Sequence, residues 1–273
     1  MAIESMTTAA PGRYASINGL SMYYEIHGIG RPLVLLHGAL TTIEGSFGRM
    51  LPSLAATRQV IAIEQQAHGR TADIDRPLTY EEMGKDTAEL LRHLGIENAD
   101  IFGYSMGAAI AIEIAVRHPD LVRRLVLASP AYTREGMYPE VFEGIETLTP
   151  EAFAGTPLQE EYARTAPNPQ DWPVLIEKVK QLDRDFQGWT AEDIQSIRAP
   201  TLVIIGDADI VRPEHAVEIF RLLGGGVAGD LAGLPRSRLA VLPGTTHITL
   251  ADRTDWLLAM IGEFLDAPMP EAG

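Results

Sequence analysis

The chain has 273 residues, of which 46% are hydrophobic and 22% are charged, which is the composition of a soluble globular protein with a sizeable core. The formal net charge of −15 disfavours nucleic acids and anionic membrane surfaces as partners. The sequence contains no cysteine, and this excludes disulfides, thiolate metal ligands and a cysteine nucleophile.

The first residues are small and polar and lack the basic and apolar stretches of a secretory signal. Apolar runs stay well short of the ~20 residues that a membrane-spanning helix needs. We therefore expect a cytoplasmic protein, a monomer or a homodimer, without nucleic-acid or membrane partners. Residues 1–11 and 267–273 are expected to be tails.

Strands and helices alternate through the first 130 residues. Two short strands are predicted around an Asn18-Gly19 hairpin turn. Helices are predicted at 46–56 and from Thr79, with Glu82 three residues on, to Leu94. Continuous apolar runs typical of buried parallel strands are Leu33–Leu36, Val60–Ile63 and Leu125–Ala128, and Ala99–Phe102 is a further strand-like run. The alternation predicts a mostly parallel sheet with helices on both faces.

One strand and the helix after it are joined by the pattern Gly103-Tyr104-Ser105-Met106-Gly107. A serine between a strand and a helix, with almost no loop, must take a strained backbone conformation, and small flanking residues let the neighbouring backbone approach. This is the G-x-S-x-G pattern of a nucleophile elbow, in which the turn lifts the hydroxyl above the sheet edge. A glycine-flanked turn without a chemical role has the same letters, but the strand before it and the helix after it favour a nucleophile.

The alternation fails between residues 131 and 193. Prolines, short amphipathic stretches and bulky apolar side chains replace the strand pattern there. About 60 residues are close to the lower limit for independent folding. The segment is therefore predicted to be a small helical insertion that covers the sheet.

The strand pattern resumes at Thr201–Ile205 and ends at Leu239–Leu242. A helix beginning with Pro213 lies between these strands, followed by a glycine-rich loop over 224–237. A closing helix is predicted over 251–265.

Serine needs a base and an orienting carboxylate to become a nucleophile. Ligands of an open parallel sheet gather at the carboxyl ends of the strands, so the partners of Ser105 are sought just after predicted strands. Asp209 and His247 occupy such places, and the order serine, acid, histidine is that expected for this motif. Asp207 stays open as the acid in place of Asp209, and the acidic loop could also serve only as a helix cap.

The negative oxygen formed during attack on a carbonyl requires at least two aimed donors. One is predicted to be the backbone N–H of Met106, at the start of the helix after the elbow. The other is predicted to be the N–H of Ala39, because His37-Gly38-Ala39 follows the Leu33–Leu36 strand with small residues. The alternative is that His37-Gly38 merely ends a strand.

From Tyr14 to Leu265 the chain resembles the α/β-hydrolase fold superfamily. The matching motifs are His37-Gly38, Gly103–Gly107, Gly206–Asp209 and Gly244–His247. The resemblance implies a mostly parallel eight-stranded sheet flanked by helices, with a helical cap after the sixth strand. The corresponding division is a core of 12–130 and 194–266 and a cap of 131–193. One departure is Ala67, where relatives often have glycine before a His-Gly-Arg-Ser-like turn, and we expect altered loop geometry there without loss of the chemistry.

The resemblance implies a serine hydrolase that cleaves a carboxylic ester or lactone of an apolar, possibly bulky small molecule through an acyl-enzyme. Amidase, C–C hydrolase and cofactor-free peroxidase-like activities of the same fold stay open, as does a small-molecule receptor that retains the triad. No cofactor and no metal site are expected. Side chains predicted to contact the substrate are Leu40, Tyr104, Tyr132, Met137, Tyr138, Phe142, Trp172 and Trp189.

Overall fold

The computed structural model describes residues 12–269 of the chain. Within this range eight strands form one sheet in the order β1-β2-β4-β3-β5-β6-β7-β8. The strands are β1 (Arg13–Ile17), β2 (Leu20–His27), β3 (Arg31–Leu36), β4 (Arg58–Ile63), β5 (Ala99–Tyr104), β6 (Val122–Ala128), β7 (Thr201–Ala208) and β8 (Ser237–Thr246). The pairs β1–β2 and β2–β4 are antiparallel, and the pairs from β4 to β8 are parallel. The predicted mostly parallel eight-stranded sheet is confirmed.

Helices cover both faces of this sheet and also fill the interval between β6 and β7. They are α1 (Ile43–Phe47), α2 (Leu51–Ala55), α3 (Tyr80–His93), α4 (Met106–Arg117), α5 (Pro139–Glu146), α6 (Pro157–Thr165), α7 (Trp172–Asp185), α8 (Ala191–Ser196), α9 (Pro213–Leu222), α10 (Gly229–Ala232) and α11 (Thr254–Asp266). One apolar cluster joins α3, α4 and α9 to the sheet, and a second joins α1, α2 and α11 to its other face.

The strand and helix patterns of the sequence have a direct cause in burial. Leu33–Leu36 in β3 is fully buried, because helices cover both faces of a parallel strand. Thr79 caps α3 by accepting the amide of Glu82, and the chain leaves the helix through Gly95 at φ 70°. Among the described residues no helix combines the length and apolarity required to cross a bilayer.

The predicted helix at 46–56 is wrong, since the structure has two short helices, α1 and α2, in this region. Pro52 would have lacked a backbone donor in the interior of one long helix, whereas it occupies the first turn of α2, where no donor is needed. The loop predicted over 224–237 contains the single turn of α10.

The interval from 131 to 193 contains helices α5, α6 and α7 and no strand, only an isolated bridge between Met137 and Val211. The predicted boundary at residue 193 falls inside α8, which packs against α4 and α9 of the core. The division into core and cap stays a prediction. Of its predicted tails, 1–11 and 267–273, only residues 267–269 are among the described residues.

Candidate active site

Ser105 lies in the turn between β5 and α4, where the sequence predicts a nucleophile. Its backbone has φ 54° and ψ −118°, in a region that residues other than glycine rarely adopt. The amide of Ser105 donates to the carbonyl of Ala128 at the end of β6, 2.9 Å away, which ties the turn to the neighbouring strand. The strained turn therefore presents the hydroxyl at the carboxyl edge of the sheet, and α4 begins immediately behind it.

The glycines two residues before and after Ser105 are required by close packing. A Cβ on Gly103 would lie 2.1 Å from the carbonyl oxygen of Gly107, and a Cβ on Gly107 would lie 1.9 Å from that of Leu36. Both contacts involve backbone atoms, which cannot move aside cheaply. The G-x-S-x-G spacing is therefore dictated by how closely α4 approaches the strands beneath it.

Two hydrogen bonds of 2.8 Å connect Ser105, His247 and Asp209. His247 Nε2 lies 2.8 Å from Ser105 Oγ, and His247 Nδ1 lies 2.8 Å from Asp209 Oδ1. An ionised carboxylate only accepts hydrogen bonds, so Nδ1 carries the imidazole hydrogen and Nε2 accepts from the serine hydroxyl. The structure thus brings together the three side chains that the sequence predicts as nucleophile, acid and base.

Asp209 is buried and has more donors than His247 alone. Ser129 Oγ donates to Asp209 Oδ2 over 2.6 Å, and the amide of Val211 donates to Oδ1 over 3.2 Å. Burial on its own would raise the pKa of Asp209, but the hydrogen bonds from His247, Ser129 and Val211 hold that pKa below its ordinary value. Asp209 is therefore ionised at neutral pH and able to stabilise an imidazolium.

Asp207, the alternative acid, has a different position. Its side chain is exposed and accepts the backbone N–H of Thr245, 3.1 Å away, two residues before His247. The hydrogen bonds from the amides of Thr245 and Gly244 lower the pKa of Asp207. The structure therefore places Asp209 beside the imidazole, and Asp207 holds the loop that carries it.

Two further hydrogen bonds hold the loop that carries His247 in place. Tyr104 donates its hydroxyl to the carbonyl oxygen of His247 over 2.8 Å, and the two rings lie 5.5 Å apart. The amide of Thr246 donates to Thr249 Oγ1 over 2.9 Å. These contacts limit the freedom of the imidazole before any substrate arrives.

The two predicted oxyanion donors flank the serine. Ala39 and Met106 both line the cavity that contains Ser105 and His247. The preceding residue, Gly38, has its carbonyl held at 2.7 Å by His37 Nδ1. His37 Nε2 accepts the amide of Gln65, so the hydrogen is on Nδ1 and the imidazole is neutral. Because the C=O and N–H of one peptide point in opposite directions, this hydrogen bond fixes the direction of the Ala39 N–H.

The cavity beside Ser105 has a volume of about 120 Å³. Its walls are mainly apolar and come from the end of β6, the start of α3 and the inserted helices. The wall residues contributed by the insertion are Met137, Ile145, Val179, Leu182, Asp183 and Phe186. An apolar cavity of roughly 150 Å³ holds a benzene molecule, so this space accommodates a group of that size or smaller.

Of the eight side chains predicted to contact substrate, Met137 lines this cavity. Tyr104 and Leu40 do not line this cavity: Tyr104 donates to the carbonyl of His247, and Leu40 lies in the loop after β3 with φ 61°. Tyr138 is 42% exposed, and Phe142 lies under the guanidinium of Arg134 at 3.8 Å.

The other three aromatic side chains pack elsewhere. Tyr132 stacks on His215 with ring centroids 4.6 Å apart. Trp172 is buried inside the insertion, and the indole of Trp189 donates to Glu113 over 2.7 Å. Aromatic residues of the insertion thus serve mainly to pack it together and onto the core.

The turn that begins with Ala67 keeps a glycine-like backbone. Ala67 has φ 65°, in the left-handed region that favours glycine. The alanine thus takes the backbone conformation of a glycine, whereas the sequence predicts an altered loop geometry. The His68 ring that follows is buried and lies 5.1 Å from the ring of His37. The turn therefore supports the loop that carries Gly38 and Ala39.

Sequence reasoning misses most of the cavity wall, including two residues that matter for the chemistry, Ser129 and Asp183. Ser129 follows β6 directly, so the search for polar residues after strands could have found it. Asp183 shares the helical face of Leu175 and Val179, at intervals of four, with Leu182 beside it, and a charge in that apolar stripe is the available signal.

A largely parallel sheet with a serine on a strand–turn–helix, followed along the chain by an acid and a histidine at later strand ends, defines the class of α/β hydrolases. The model of the alpha/beta hydrolase family matches residues 33–260. The chain belongs to this family.

Several relatives carry hydrolase names. The chain is 27% identical to the putative carbamate hydrolase RutD of Azorhizobium caulinodans, over 92% of this chain and 98% of the relative. It is 26% identical to the 2-hydroxy-6-oxo-6-(2'-aminophenyl)hexa-2,4-dienoic acid hydrolase of Metapseudomonas resinovorans, over 80% and 81%. The enol-lactonase from Burkholderia xenovorans superposes with a TM-score of 0.71 at 22% identity, covering 93% of this chain and all of that one. At that identity the structural likeness shows the fold alone.

Proposed function

We propose that this hydrolase cleaves a carboxylic ester or lactone of a small molecule through an acyl-enzyme on Ser105. The observation that carries the proposal is the pair of 2.8 Å hydrogen bonds from Ser105 Oγ to His247 and from His247 to Asp209. A serine hydroxyl is a poor nucleophile at neutral pH, and a neutral imidazole within hydrogen-bond reach can remove its proton as it attacks.

In the proposed reaction, Ser105 Oγ bonds to the carbonyl carbon while His247 Nε2 takes the hydroxyl proton. Asp209 stabilises the resulting imidazolium, and the N–H groups of Ala39 and Met106 bind the negative oxygen. The C–O bond then breaks as His247 returns the proton to the leaving alcohol. Water, deprotonated by the same imidazole, attacks the acyl-enzyme, releases the acid and restores Ser105.

The size of the cavity bears on the substrate. A volume of about 120 Å³ suits a compact group on one side of the scissile bond, rather than the bulky one that the aromatic content of the insertion suggests. The group on the other side of the scissile bond would face the opening of the cavity beside His247, whose side chain is 15% exposed.

Turnover of a short p-nitrophenyl ester tests the proposal. Ser105→Ala should lower kcat by several orders of magnitude, because the nucleophile is lost. Folding is checked by circular dichroism, and a serine-reactive fluorophosphonate should label the wild type and not the variant. Wild-type turnover by Ser105→Ala would show that another group attacks the substrate.

A second candidate is cleavage of a carbamate or of a C–C bond in a 2-hydroxy-6-oxo-dienoic acid, because one relative is named as a putative carbamate hydrolase and another as a hydrolase of such an acid. A panel of esters, lactones, carbamates and vinylogous 1,5-diketo acids of matched size separates the candidates. The substrate class with the highest kcat/KM that depends on Ser105 identifies the reaction. Stoichiometric release without further turnover on the whole panel would instead favour a receptor.

A further inference from the structure

Asp183 places a carboxylate in the wall of the cavity that holds Ser105 and His247. It lies in the last turn of α7, and its side chain is 13% exposed. Asp183 is the only acidic residue among those that line the cavity. A mainly apolar cavity with one carboxylate is chemically different from an acyl-binding pocket lined only by apolar side chains.

No hydrogen bond reaches the carboxylate of Asp183 from any residue between 12 and 269. Its Oδ2 atom is buried and unpaired. The nearest cation, Arg134, has Nη1 3.9 Å from Oδ2, beyond hydrogen-bond distance. The same Nη1 donates to the backbone carbonyl of Asp183 over 2.7 Å, and the guanidinium stacks on Phe142. Arg134 is thus already engaged. Burial raises the pKa of Asp183, and the charge of Arg134 offsets part of that rise.

Burying a carboxylate without hydrogen-bond donors costs free energy. Whether that free energy is recovered depends on the substrate group that fills the cavity. A methyl or methylene group beside Asp183 would exclude water from the part of the carboxylate that faces the cavity and leave it without a donor. A hydroxyl or amine at the same place would donate a hydrogen bond to it. The cavity therefore discriminates between substrate groups of equal size according to whether they carry a donor.

We infer that Asp183 selects substrates whose cavity-bound group ends in a hydrogen-bond donor, a hydroxyl or an amine. The inference rests on the proposed function, because it concerns the group attached to the carbonyl that Ser105 attacks. It names a specificity residue and a substrate class: small hydroxyl- or amino-substituted esters or lactones.

The surroundings of the cavity agree with this class. Tyr80, Leu182 and Phe186 form a wall shared with an outer groove of about 270 Å³. The charged residues that line this groove are Glu81, Glu113, Arg117, Asp185 and Asp193. Four acids against one base, on a protein of net charge −15, repel anionic groups and tolerate neutral or cationic ones.

The test compares p-nitrophenyl esters that differ in one terminal group. The pairs are 3-hydroxypropanoate with butanoate and 6-hydroxyhexanoate with heptanoate, and the two chain lengths sample different reaches from Ser105. The 3-amino and 6-amino analogues distinguish a cationic donor from a neutral one. At the length that reaches Asp183, the wild type should favour the hydroxyl or amino ester over its methyl counterpart by about 10- to 100-fold in kcat/KM.

Asp183→Asn keeps the size of the side chain and removes its charge, and we expect the preference to shrink to about 3-fold or less. Glu177→Gln is the matched control, because it makes the same change on α7 at a side chain that is 64% exposed and outside the cavity. This control should keep the wild-type preference. Melting temperatures of both variants show whether the fold is intact.

Binding to Ser105→Ala separates this inference from the proposed function. Calorimetry with the uncleaved esters should show the same order of affinities, donor over methyl. Cleavage of the esters by Ser105→Ala at the wild-type rate would overturn the proposed function. If that variant is inactive but the wild type shows no donor preference at either length, or Asp183→Asn keeps the preference, the inference about Asp183 is wrong by itself.

Discussion

The hydrogen bond from Ser129 to Asp209 offers a sharp test of how the triad is positioned. Ser129 Oγ lies 2.6 Å from Asp209 Oδ2, and within residues 12–269 the only other donor to that oxygen is the amide of Gly206, 3.5 Å away. Ser129→Ala therefore leaves one oxygen of a buried carboxylate almost unpaired. Hydrogen bonds to charged groups contribute about 1.5–3 kcal/mol, and Asp209 is 5% exposed, so water replaces the lost donor poorly.

This loss divides between stability and catalysis. Asp209 keeps His247 and the amide of Val211 on Oδ1, so the carboxylate stays in place but loses the contact that fixes its plane. We expect kcat to fall about 10-fold, which corresponds to ~1.4 kcal/mol, because the imidazolium is stabilised less well in the transition state. KM should stay within about 2-fold. The rest of the lost hydrogen-bond energy should lower the free energy of unfolding by roughly 1 kcal/mol, as measured by urea denaturation.

Ser129→Gly is the matched variant, because Ser129 has φ 53°. Glycine also lacks the hydroxyl but takes this φ without strain, so it should match the kcat of Ser129→Ala while being more stable by up to about 1 kcal/mol. Steady-state kinetics on a p-nitrophenyl ester measure both variants. Wild-type kcat in Ser129→Ala, or a loss confined to KM, would refute a positioning role for this hydroxyl.

Two other predictions follow from the electrostatics of the site. Asp209→Asn should lower kcat about 10³- to 10⁴-fold, whereas Asp207→Asn, which can still accept the amide of Thr245, should lower it less than about 10-fold; equal losses in the two variants would contradict the assignment of the acid. Burial lowers the pKa of His37 to about 3, with the nearby His68 contributing, and that of His68 to about 4. The unfolded chain then binds more protons than the folded one below about pH 6.5. Each ring should therefore lower the free energy of unfolding by roughly 2–3 kcal/mol as the pH falls from 7 to 4.5. Burial raises the pKa of Glu64 to about 7, so this group stabilises the folded protein as the pH falls and opposes the two histidines. Urea unfolding of the wild type is therefore compared with that of His68→Asn, and we expect the variant to lose less unfolding free energy between pH 7 and 4.5.

The meeting of Ser105, Asp209 and His247 was predictable from the sequence because each of these residues carries a local signal. Ser105 lies between a strand pattern and a helix pattern, and Asp209 and His247 each follow an apolar run that only a buried strand explains. Parallel neighbouring strands bring their carboxyl ends to one edge, so side chains distant along the chain meet without further information. The choice between Asp207 and Asp209 required coordinates, since a two-residue difference in a turn reverses which carboxylate points inward.

The substrate side of the site was much less predictable. Trp172 and Tyr132 are as apolar as Met137, yet they fill the interior of the insertion or pack on His215, and Met137 alone of the three faces the cavity. Short helices have one apolar face, and the sequence does not say whether that face meets another helix or a substrate. A charge within such a face, as at Asp183, is more informative than another aromatic residue.

Backbone strain in this protein is concentrated at the edge of the sheet where the chemistry is proposed. Apart from the hairpin residue Asn18, the non-glycine residues with positive φ in the described chain are Leu40, Ala67, Ser105 and Ser129. They follow β3, β4, β5 and β6 in turn: Ser105 and Ser129 come directly after their strands, and Leu40 and Ala67 four residues after theirs. Each such residue costs of order 1 kcal/mol, and it persists only because the buried strands beneath fix the chain on both sides. Sharp turns after these strands bring Ala39, Ser105 and Ser129 to one small cavity, where the proposed oxyanion donor, the proposed nucleophile and the hydroxyl that donates to Asp209 meet. The rigid parallel core thus holds a local geometry that none of these loops would adopt alone.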